Sequence, residues 1–436
     1  MSAIPNPLRV DRLYLKEVGP FDALDLTFGE KRDPDKADLH MLVGPNGSGK
    51  STVLYALAAM FAPTEESARL FTQRLRSPDS YAAARNLSWQ QFADASAPSL
   101  AAPRKAPWDF PAGFATSPSR AISGIWVGTA SGRSNQRLQF AAFAYAGQRG
   151  LTSYRLDAIR EPARGPFDDA LSFTATADSA TIVQWLATLH TKEALSLKDG
   201  NAAAAERFRT TRRQVEDAVR EVIGEDIRFE MSIDPLGITL RRGGVAVDLD
   251  VLPDGVKSIV SWVADLLSRL DRMPWEGDVP VLERPFLLLL DEVDIHLHPA
   301  WQRKVLPMVQ RLFKNAQIVV STHSPFVVAS VSDAWVYPFT VKDGVASLGE
   351  VIPSQAGASV SSVLRTVFGV AEEFDVETEA ELSRFYRVRD AVLAGETARF
   401  GELERLAEET ASRGEEVEDI VASEVAQVAG RVGLLP

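Results

Sequence analysis

The sequence predicts an α/β fold with a largely parallel core sheet, on the basis of two patterns. First, short apolar segments typical of strands buried on both faces alternate with segments of helical spacing. The clearest are LHMLV at 39–43, FLLLL at 286–290 and QIVV at 317–320. Second, strand patterns at 8–28 and 226–251 are interrupted by turn residues, which predicts an antiparallel side sheet.

The composition restricts the class of protein. A chain of 436 residues can hold one large domain with insertions, or two or three domains. Cysteine is absent, which excludes disulfides and thiolate metal sites. No stretch is apolar enough to cross a bilayer, and the first residues lack a signal-peptide pattern. The net charge of −12 argues against general nucleic-acid affinity, but not against a local basic groove. We therefore expect a cytoplasmic protein without membrane association.

The order of elements predicts one head followed by a helical region. Residues of about 62–120 are rich in Ala, Pro and Ser, which predicts a loop-rich insertion with short helices. We expect a head at 1–355, with insertions at about 62–120 and 178–225, and a helical region at 356–436. Further strands are predicted at 123–130 and 137–147, and helices from residue 51 and at 181–224, 256–272, 299–314 and 359–436.

A glycine-rich turn lies between the first buried strand and a helix. The segment GPNGSGKS at 44–51 fits G-x-x-x-x-G-K-[ST] at every fixed position. Glycines let backbone N–H groups curl around phosphate oxygens, and the helix directs its positive end at them. Lys50 would hold the β- and γ-phosphates, and the Ser51 hydroxyl would ligate Mg²⁺. The candidate nucleotide-binding residues are Asn46, Gly47, Ser48, Gly49, Lys50, Ser51 and Thr52.

Two carboxylates follow the strand at 286–290. The carboxyl ends of such strands are where α/β sheets build their sites. Asp291 is therefore predicted to bind Mg²⁺, directly or through water, and Glu292 to orient and deprotonate the attacking water. The alternative for each is a solvated turn residue. The nearby His296 and His298 have a spacing compatible with a metal pair, but the local sequence lacks a third ligand.

The third strand end carries a histidine, in VVSTHSPF at 319–326. His323 is placed to hydrogen-bond a γ-phosphate. Ser321 or Ser324 could act as a nucleophile with His323 as base, but the G-x-S-x-G turn of such enzymes is absent. Phosphate sensing is therefore preferred over acyl transfer.

With these three segments in order, the chain resembles the ABC-type ATPase heads of the RecF, SMC and OLD group. The segments DEVDIHLHPAWQ and STHSPFV are similar to those of short bacterial ATPases, including ATPase subunits of the Septu and retron anti-phage systems. The resemblance covers roughly residues 8 to 340. It implies an ABC-type head with a P-loop NTPase core sheet, an antiparallel side sheet, a helical insertion and a helical C-terminal region.

The resemblance also implies roles for single residues. Lys50 becomes the phosphate lysine, Ser51 and Asp291 the Mg²⁺ ligands, Glu292 the catalytic base and His323 the switch histidine. The segment LPDG at 252–255 takes the place of the family's Leu-Ser-Gly-Gly signature and keeps only its leucine and second glycine. Gly255 and Lys257 would face a partner's nucleotide. The Q-loop glutamine stays open between Gln73 and Gln148.

The resemblance implies partners as well. Two heads would sandwich two ATP molecules in a homodimer, with a higher oligomer left open. No nuclease signature follows His323, so we expect a separate effector subunit, with a nuclease the leading choice. Direct DNA contact is left open, as are solvated faces, for the basic residues Arg207, Arg209, Arg212 and Arg213. The apolar stripes after residue 359 could pack onto the head or dock the effector.

Three functions remain in competition. The first is an ATPase that couples ATP-driven dimerisation to DNA sensing or to control of an effector, in anti-phage defence. The second is a regulatory scaffold that hydrolyses ATP weakly, which Pro253 in the signature segment favours. The third is a RecF-like DNA repair ATPase.

Overall fold

Within the residues that the structure describes, the core is a mixed sheet of seven strands in the order β12-β11-β3-β10-β9-β5, with β13 paired to β11. The computed structural model describes residues 9–61, 69–77, 79–85, 137–147, 150–174, 177–370 and 374–432. Strands β3, β5, β9, β10 and β11 run parallel, whereas β12 and β13 pair antiparallel with β11. The strands are β3 (Asp38–Val43), β5 (Ala141–Tyr145), β9 (Phe286–Leu290), β10 (Gln317–Thr322), β11 (Trp335–Lys342), β12 (Val345–Leu348) and β13 (Ile352–Pro353).

Four of the parallel strands, β3, β10, β9 and β5, end at the same side of the sheet. Every residue of β3, β5, β9 and β10 is buried, as expected of strands covered on both faces. Thr322 pairs with Val43, and Leu290 pairs with both Val320 and Tyr145. The glycine-rich turn and the two acidic residues therefore leave the sheet side by side.

An antiparallel sheet covers the glycine-rich turn. Its order is β2-β1-β4, from β1 (Arg12–Val18), β2 (Phe21–Thr27) and β4 (Tyr81–Arg85). A Cβ added at Gly19, in the turn between β1 and β2, would lie 2.9 Å from Thr52 Oγ1. One added at Gly49 would lie 2.3 Å from the Phe21 ring, so this hairpin supports the turn directly.

Part of the insertion that was predicted to be loop-rich forms a strand, β4. Residues 69–85 hold the helix α2 (Arg69–Thr72) and then β4, which pairs with β1 from Lys16 to Arg12. The segment YAAAR is short and alanine-rich, and the cross-strand pairing to β1 determines its conformation. The rest of the insertion, and the strand predicted at 123–130, lie outside the described residues.

The strand pattern before residue 250 forms a separate sheet, so the single side sheet predicted from the sequence is wrong in this respect. This sheet has the order β6-β7-β8, from β6 (Ile227–Ile233), β7 (Leu236–Arg242) and β8 (Val245–Val247). It follows the helices α3 (Ser179–Lys198) and α4 (Ala202–Ile223). Asp178 and Asn201 cap these helices with their side chains, and Gly224, at φ +83°, ends the second.

The first unit also contains α1 (Lys50–Phe61), α5 (Asp254–Arg272), α6 (Pro299–Leu312) and α7 (Pro325–Val328), with 3₁₀ turns at Leu249–Val251 and Val281–Glu283. Helix α8 (Val360–Thr366) crosses the position at which the chain divides into two units. The hairpin of β11 and β12 was not predicted from the sequence, and neither was any other element between residues 335 and 353. In the described ranges, no helix is both long enough and apolar enough to traverse a bilayer.

The chain divides into two compact units, Met1–Val363 and Leu364–Pro436. The second unit contains α9 (Val376–Leu393), α10 (Phe400–Ala411) and α11 (Glu415–Arg431), with a 3₁₀ turn at Thr397–Arg399. Leu382, Phe385 and Val388 of the predicted apolar stripe are buried with apolar residues of α10 and α11. These side chains therefore form a core of their own. The α/β class with its P-loop core sheet, antiparallel side sheet, helical insertion and helical C-terminal region is confirmed.

Candidate functional site

The glycine-rich turn forms a cradle at the start of α1. Gly44, Gly47 and Gly49 have φ angles of +144°, +79° and +90°, which L side chains rarely adopt. A Cβ at Gly44 would lie 2.4 Å from the backbone oxygen of Phe339, whereas no described atom lies within 4 Å of one at Gly47. The N–H groups of Lys50, Ser51 and Thr52 have no intrahelical acceptor because they begin the helix. The turn therefore offers donors on a face that is open at Gly47.

Lys50 lies inside this cradle. Its side chain is 5% exposed, and Nζ donates to the backbone oxygens of Gly44 and Pro45, both at 2.9 Å. Burial lowers the pKa of the Lys50 ammonium, and the negative charges of Asp291, Glu292 and Asp294 oppose that shift. The ammonium therefore stands among carboxylates in a partly dry site, where it can attract phosphate.

The Asp291 carboxylate accepts hydrogen bonds from hydroxyl groups of α1 and β10. Ser51 Oγ donates to Oδ1 at 3.0 Å, Ser321 Oγ donates to Oδ1 at 2.5 Å, and Tyr55 donates to Oδ2 at 3.3 Å. The backbone N–H of Asp291 donates to the backbone oxygen of Tyr145 at 2.9 Å. The structure thus brings the two predicted Mg²⁺ ligands, Ser51 and Asp291, into direct contact.

Glu292 follows with a left-handed backbone, at φ +47°. Its N–H donates to Ser321 Oγ at 2.8 Å, which fixes the peptide between the two acidic residues. Its side chain packs against Gly147, just after β5, where a Cβ would lie 2.7 Å from Glu292 Cβ and 2.8 Å from Oε2. The absence of a side chain at Gly147 is therefore what leaves room for the Glu292 carboxylate.

His323 is held beside the same carboxylates. Thr322 Oγ1 donates to Asp294 Oδ1 at 2.6 Å, and the His323 N–H points to the same oxygen at 3.4 Å. Burial lowers the pKa of the His323 imidazole, and the positive charge of Lys50 adds to that effect, whereas the carboxylates of Asp294, Glu292 and Asp291 oppose it. A neutral imidazole can donate from one nitrogen at neutral pH.

The predicted signature residues lie elsewhere. Gly255 is buried at the start of α5, where a Cβ would lie 2.7 Å from the backbone oxygen of His296 and 3.0 Å from the Trp301 ring. Lys257 lies two residues further along the helix, with Nζ 3.9 Å from Asp254 Oδ1. The structure thus packs Gly255 against the segment after Glu292 of its own chain, and the described contacts of Gly255 and Lys257 do not include the cradle.

Helix α5 is connected to β5 through buried polar groups. Tyr145 donates to Asp265 Oδ2 at 2.8 Å, and Arg269 Nε donates to the same oxygen at 2.6 Å. Arg269 Nη1 also donates to the backbone oxygens of Pro166 and Asp168. Removing one partner of a buried, hydrogen-bonded pair leaves an uncompensated buried charge, which is strongly destabilising.

The cradle fits a nucleoside triphosphate, and the hydroxyl–carboxylate pair fits Mg²⁺. Ser48 Oγ is buried and lacks a hydrogen-bond partner in the described part of the chain, which suits a site that completes itself with a ligand. Ser51 and Asp291 offer oxygen donors, which Mg²⁺ prefers. Asn46 is exposed at the tip of the turn, and Thr52 is buried against Gly19.

The basic residues of α4 are largely paired with acids. Arg209 contacts Glu193 and Glu206, both at 2.7 Å. Arg212 contacts Glu193 at 3.3 Å and the buried Glu216 at 2.8 Å. Two of the four arginines for which DNA contact was left open are thus neutralised within the insertion, whereas Arg207 and Arg213 remain exposed.

Sequence reasoning missed several groups that complete the site. Tyr55 lies four residues after Ser51, so helical spacing places it on the same face. Ser321 was considered only as a nucleophile, yet it bridges Asp291 and the Glu292 N–H. Gly147 could not be predicted as part of the site, because the residue that it contacts, Glu292, lies far from it in the sequence. Of the two Q-loop candidates, Gln73 is exposed and Gln148 lies outside the described residues.

The two histidines of the HLH segment, His296 and His298, are both exposed. His298 Nδ1 accepts the Ala300 N–H at 3.2 Å and so caps α6. His296 has a left-handed backbone, at φ +63°, and its oxygen faces Gly255. Over the described ranges, no group of three or more His, Cys, Asp and Glu side chains is arranged to hold a metal ion.

Two relatives cover different shares of the chain. A retron Ec83 probable ATPase from Escherichia coli is 29% identical over 173 residues, which are 40% of this chain and 31% of that protein. A Septu protein PtuA from Bacillus thuringiensis is 24% identical over 385 residues, which are 84% of this chain and 85% of that protein. The match thus spans less than a third of the retron protein but most of the Septu protein.

Solved structures with a similar arrangement include SMC heads. The SMC head domain from Thermotoga maritima aligns with 80% of this chain and 100% of its own, at 18% identity and a TM-score of 0.40. An SmcHead bound to the C-winged helix domain of ScpA aligns with 79% of this chain and 98% of its own, at 13% identity and a TM-score of 0.45.

The part of the chain that builds the site also matches a family. Residues 39–329 run from β3 through the cradle, the acidic pair and His323 to the end of α7. The predicted resemblance to short ABC-type ATPases of anti-phage systems is confirmed by this match and by the retron and Septu relatives. The chain belongs to the family described as "AAA domain, putative AbiEii toxin, Type IV TA system".

Proposed function

We propose that the protein binds ATP with Mg²⁺, hydrolyses it, and uses ATP-driven dimerisation to control a partner effector in anti-phage defence. The observation that carries the proposal is the contact of Ser51 Oγ with Asp291 Oδ1 at 3.0 Å, next to Glu292 and the buried Lys50. These are the groups that phosphoryl transfer to water requires: a phosphate clamp, metal ligands and a base.

In this mechanism the chain supplies position and charge. Lys50 exchanges its bonds to the Gly44 and Pro45 oxygens for phosphate oxygens, and the N–H groups of the cradle join it. Ser51 and Asp291 would hold Mg²⁺, which would supply neutralising charge to the phosphates. Glu292 takes the proton of the attacking water, and His323 donates a hydrogen bond to the γ-phosphate.

Dimerisation would place a second copy of the chain in front of Gly47, where the cradle of a single chain is open. A second copy, related by twofold symmetry, would present the N-terminus of α5 to the phosphates, with its dipole and Lys257. Closure would then follow ATP binding, and hydrolysis would reopen the pair.

The test compares Glu292→Gln with the wild type in turnover and self-association. We expect the variant to lose turnover by at least about a hundredfold, because the base is lost while binding is kept, and to accumulate as an ATP-bound dimer in sedimentation velocity. Glu350→Gln changes an exposed glutamate of the same unit and should behave as wild type. A wild type that neither binds Mg²⁺–ATP nor changes its association state would refute the proposal.

A weakly hydrolysing scaffold is the second candidate. Pro253 and Asp254 replace the serine and first glycine expected in the signature, and Gly255 packs against its own chain. A signature without its serine hydroxyl offers one γ-phosphate donor fewer. Stable ATP binding with negligible wild-type turnover, with or without DNA, would favour this scaffold.

Control of an effector is favoured over direct DNA sensing or RecF-like repair. The relatives named as retron and Septu proteins support an anti-phage setting. The ion pairs of Arg209 and Arg212 remove charge from the surface that DNA would need. The effector, with a nuclease the leading class, would be a separate chain.

A further inference from the structure

We propose that Gln302 is a positioning residue of the ATPase site: its amide fastens the segment after Glu292 to the turn that carries His323, so that both present their groups together. The proposal rests on the proposed ATP hydrolysis. It concerns a side chain of α6 that contacts neither the cradle nor the acidic pair among the described contacts.

The amide of Gln302 makes three hydrogen bonds that reach two different segments. Its Nε2 donates to the backbone oxygens of Asp294 at 3.1 Å and Leu297 at 3.0 Å. Its Oε1 accepts the Ser324 hydroxyl at 2.7 Å. The uncharged amide uses two donated bonds and one accepted bond here, so a side chain that lacks any of these groups would break part of this connection.

The partner groups are themselves fixed next to the reacting site. Ser324 Oγ accepts the N–H groups of Phe326 and Val327, and therefore belongs to the cap of α7. Ser324 directly follows His323 in the chain. A shift of Ser324 therefore changes the backbone from which the imidazole projects.

A second connection runs beside the first. The Asp294 carboxylate accepts Thr322 Oγ1 at 2.6 Å, while the Asp294 backbone oxygen accepts Gln302. Asp294 lies two residues after Glu292, and Thr322 lies one before His323. The Gln302 bonds and the Asp294–Thr322 bond thus close a loop of hydrogen bonds that fixes the distance between these segments.

The first turn of helix α6 contains a residue that faces a third element. Trp301 precedes Gln302, and its ring closes the space at Gly255, the first buried residue of α5. The first turn of α6 therefore contacts the start of α5, the segment after Glu292 and the turn of His323. This placement is why Gln302, rather than a residue inside the cradle, can set their relative positions.

The test replaces Gln302 with methionine, which keeps the length and removes all three bonds. Gln310→Met is the matched control, because Gln310 is a buried glutamine of the same helix whose side chain donates to the Ala37 oxygen, at 3.5 Å, far from the site residues. We expect kcat of Gln302→Met to fall about tenfold with KM for ATP within about twofold, since binding groups are untouched. Gln302→Glu keeps the acceptor for Ser324, so its kcat should lie between that of the wild type and that of Gln302→Met.

A double-mutant cycle with Ser324→Ala separates positioning from general destabilisation. If Gln302 acts through Ser324, the double variant loses little more than the stronger single variant. Full additivity, or equal losses in Gln302→Met and Gln310→Met, would overturn the positioning role while leaving the ATPase proposal intact. Normal turnover of a folded Gln302→Met would do the same. A wild type without turnover would overturn both proposals.

Discussion

Gly47 lies in the turn before α1 and Gly255 lies in the first turn of α5, so both stand at the start of a helix, yet their surroundings differ. In front of Gly47 no described atom other than those of its chain neighbours lies within 4 Å of the place that a Cβ would take, and the backbone is left-handed. In front of Gly255 stand the His296 oxygen and the Trp301 ring. One turn is open for a ligand, whereas the other is already filled by its own chain.

This difference separates two uses of glycine that look alike in sequence. At Gly47 the residue permits a backbone conformation and leaves space, so a substitution should be felt when ligand binds. At Gly255 the residue permits close approach of two segments of one chain, so a substitution should be felt in folding. A signature glycine is therefore not by itself proof of a nucleotide contact.

The largest effect is expected at Lys50. Lys50→Ala removes the buried ammonium and its charge-assisted bonds, so the affinity for Mg²⁺–ATP should fall on the order of a hundredfold. Lys257→Ala removes a cation at the start of α5, and the affinity of dilute, monomeric protein should stay within about twofold. Isothermal titration with a slowly hydrolysed ATP analogue measures both. Equal losses in the two variants would contradict the contrast between the turns.

The second effect concerns stability. Gly255→Ala places a Cβ 2.7 Å from the His296 oxygen, and this overpacking should cost about 1–3 kcal/mol in the free energy of unfolding. Gly47→Ala meets no such contact and should cost about 1 kcal/mol, from the left-handed backbone alone. Urea unfolding without nucleotide compares them. A Gly47→Ala variant that is the less stable of the two would reverse the assignment.

The smallest effect is a pH dependence from His323. Burial and the Lys50 charge lower the pKa of His323, so the folded chain binds fewer protons than the unfolded chain below about pH 6.5. The contribution of neutral His323 to the free energy of unfolding is therefore complete above that pH. It is lost as the pH falls through the lowered pKa of His323.

Replacing this histidine should therefore flatten the acid side of the stability curve. Urea midpoints of the wild type and of His323→Gln, taken between about pH 5 and pH 8, measure the difference. His190, whose pKa burial also lowers, remains in both proteins and sets the background. Parallel curves for the two proteins would show that His323 titrates as an exposed residue.

The parts of the site that lie within one segment could be predicted from the sequence. The cradle and the acidic strand end depend on a turn next to a strand or a helix, and local pattern specifies both. The hydroxyl of Ser321 and the amide of Gln302 could not be assigned, because their partners are fixed only when β9 and β10 pair and α6 packs.

The fold shows the same division. Strands β9 and β10 were predictable because burial on both faces leaves a continuous apolar run. Strand β4 was not, because YAAAR has weak strand propensity and depends on pairing with β1. The prediction of one side sheet failed because strand patterns do not specify which strands become neighbours.

Gly147 gives a rule for comparing relatives. Any residue larger than glycine at this position would collide with the side chain of Glu292, the residue that follows Asp291. A homologue that keeps glutamate at that place must also keep glycine after the edge strand, although the two are far apart along the chain. A homologue with a bulkier residue there has moved its carboxylate, and its hydrolytic capacity should be questioned before its sequence is grouped with this one.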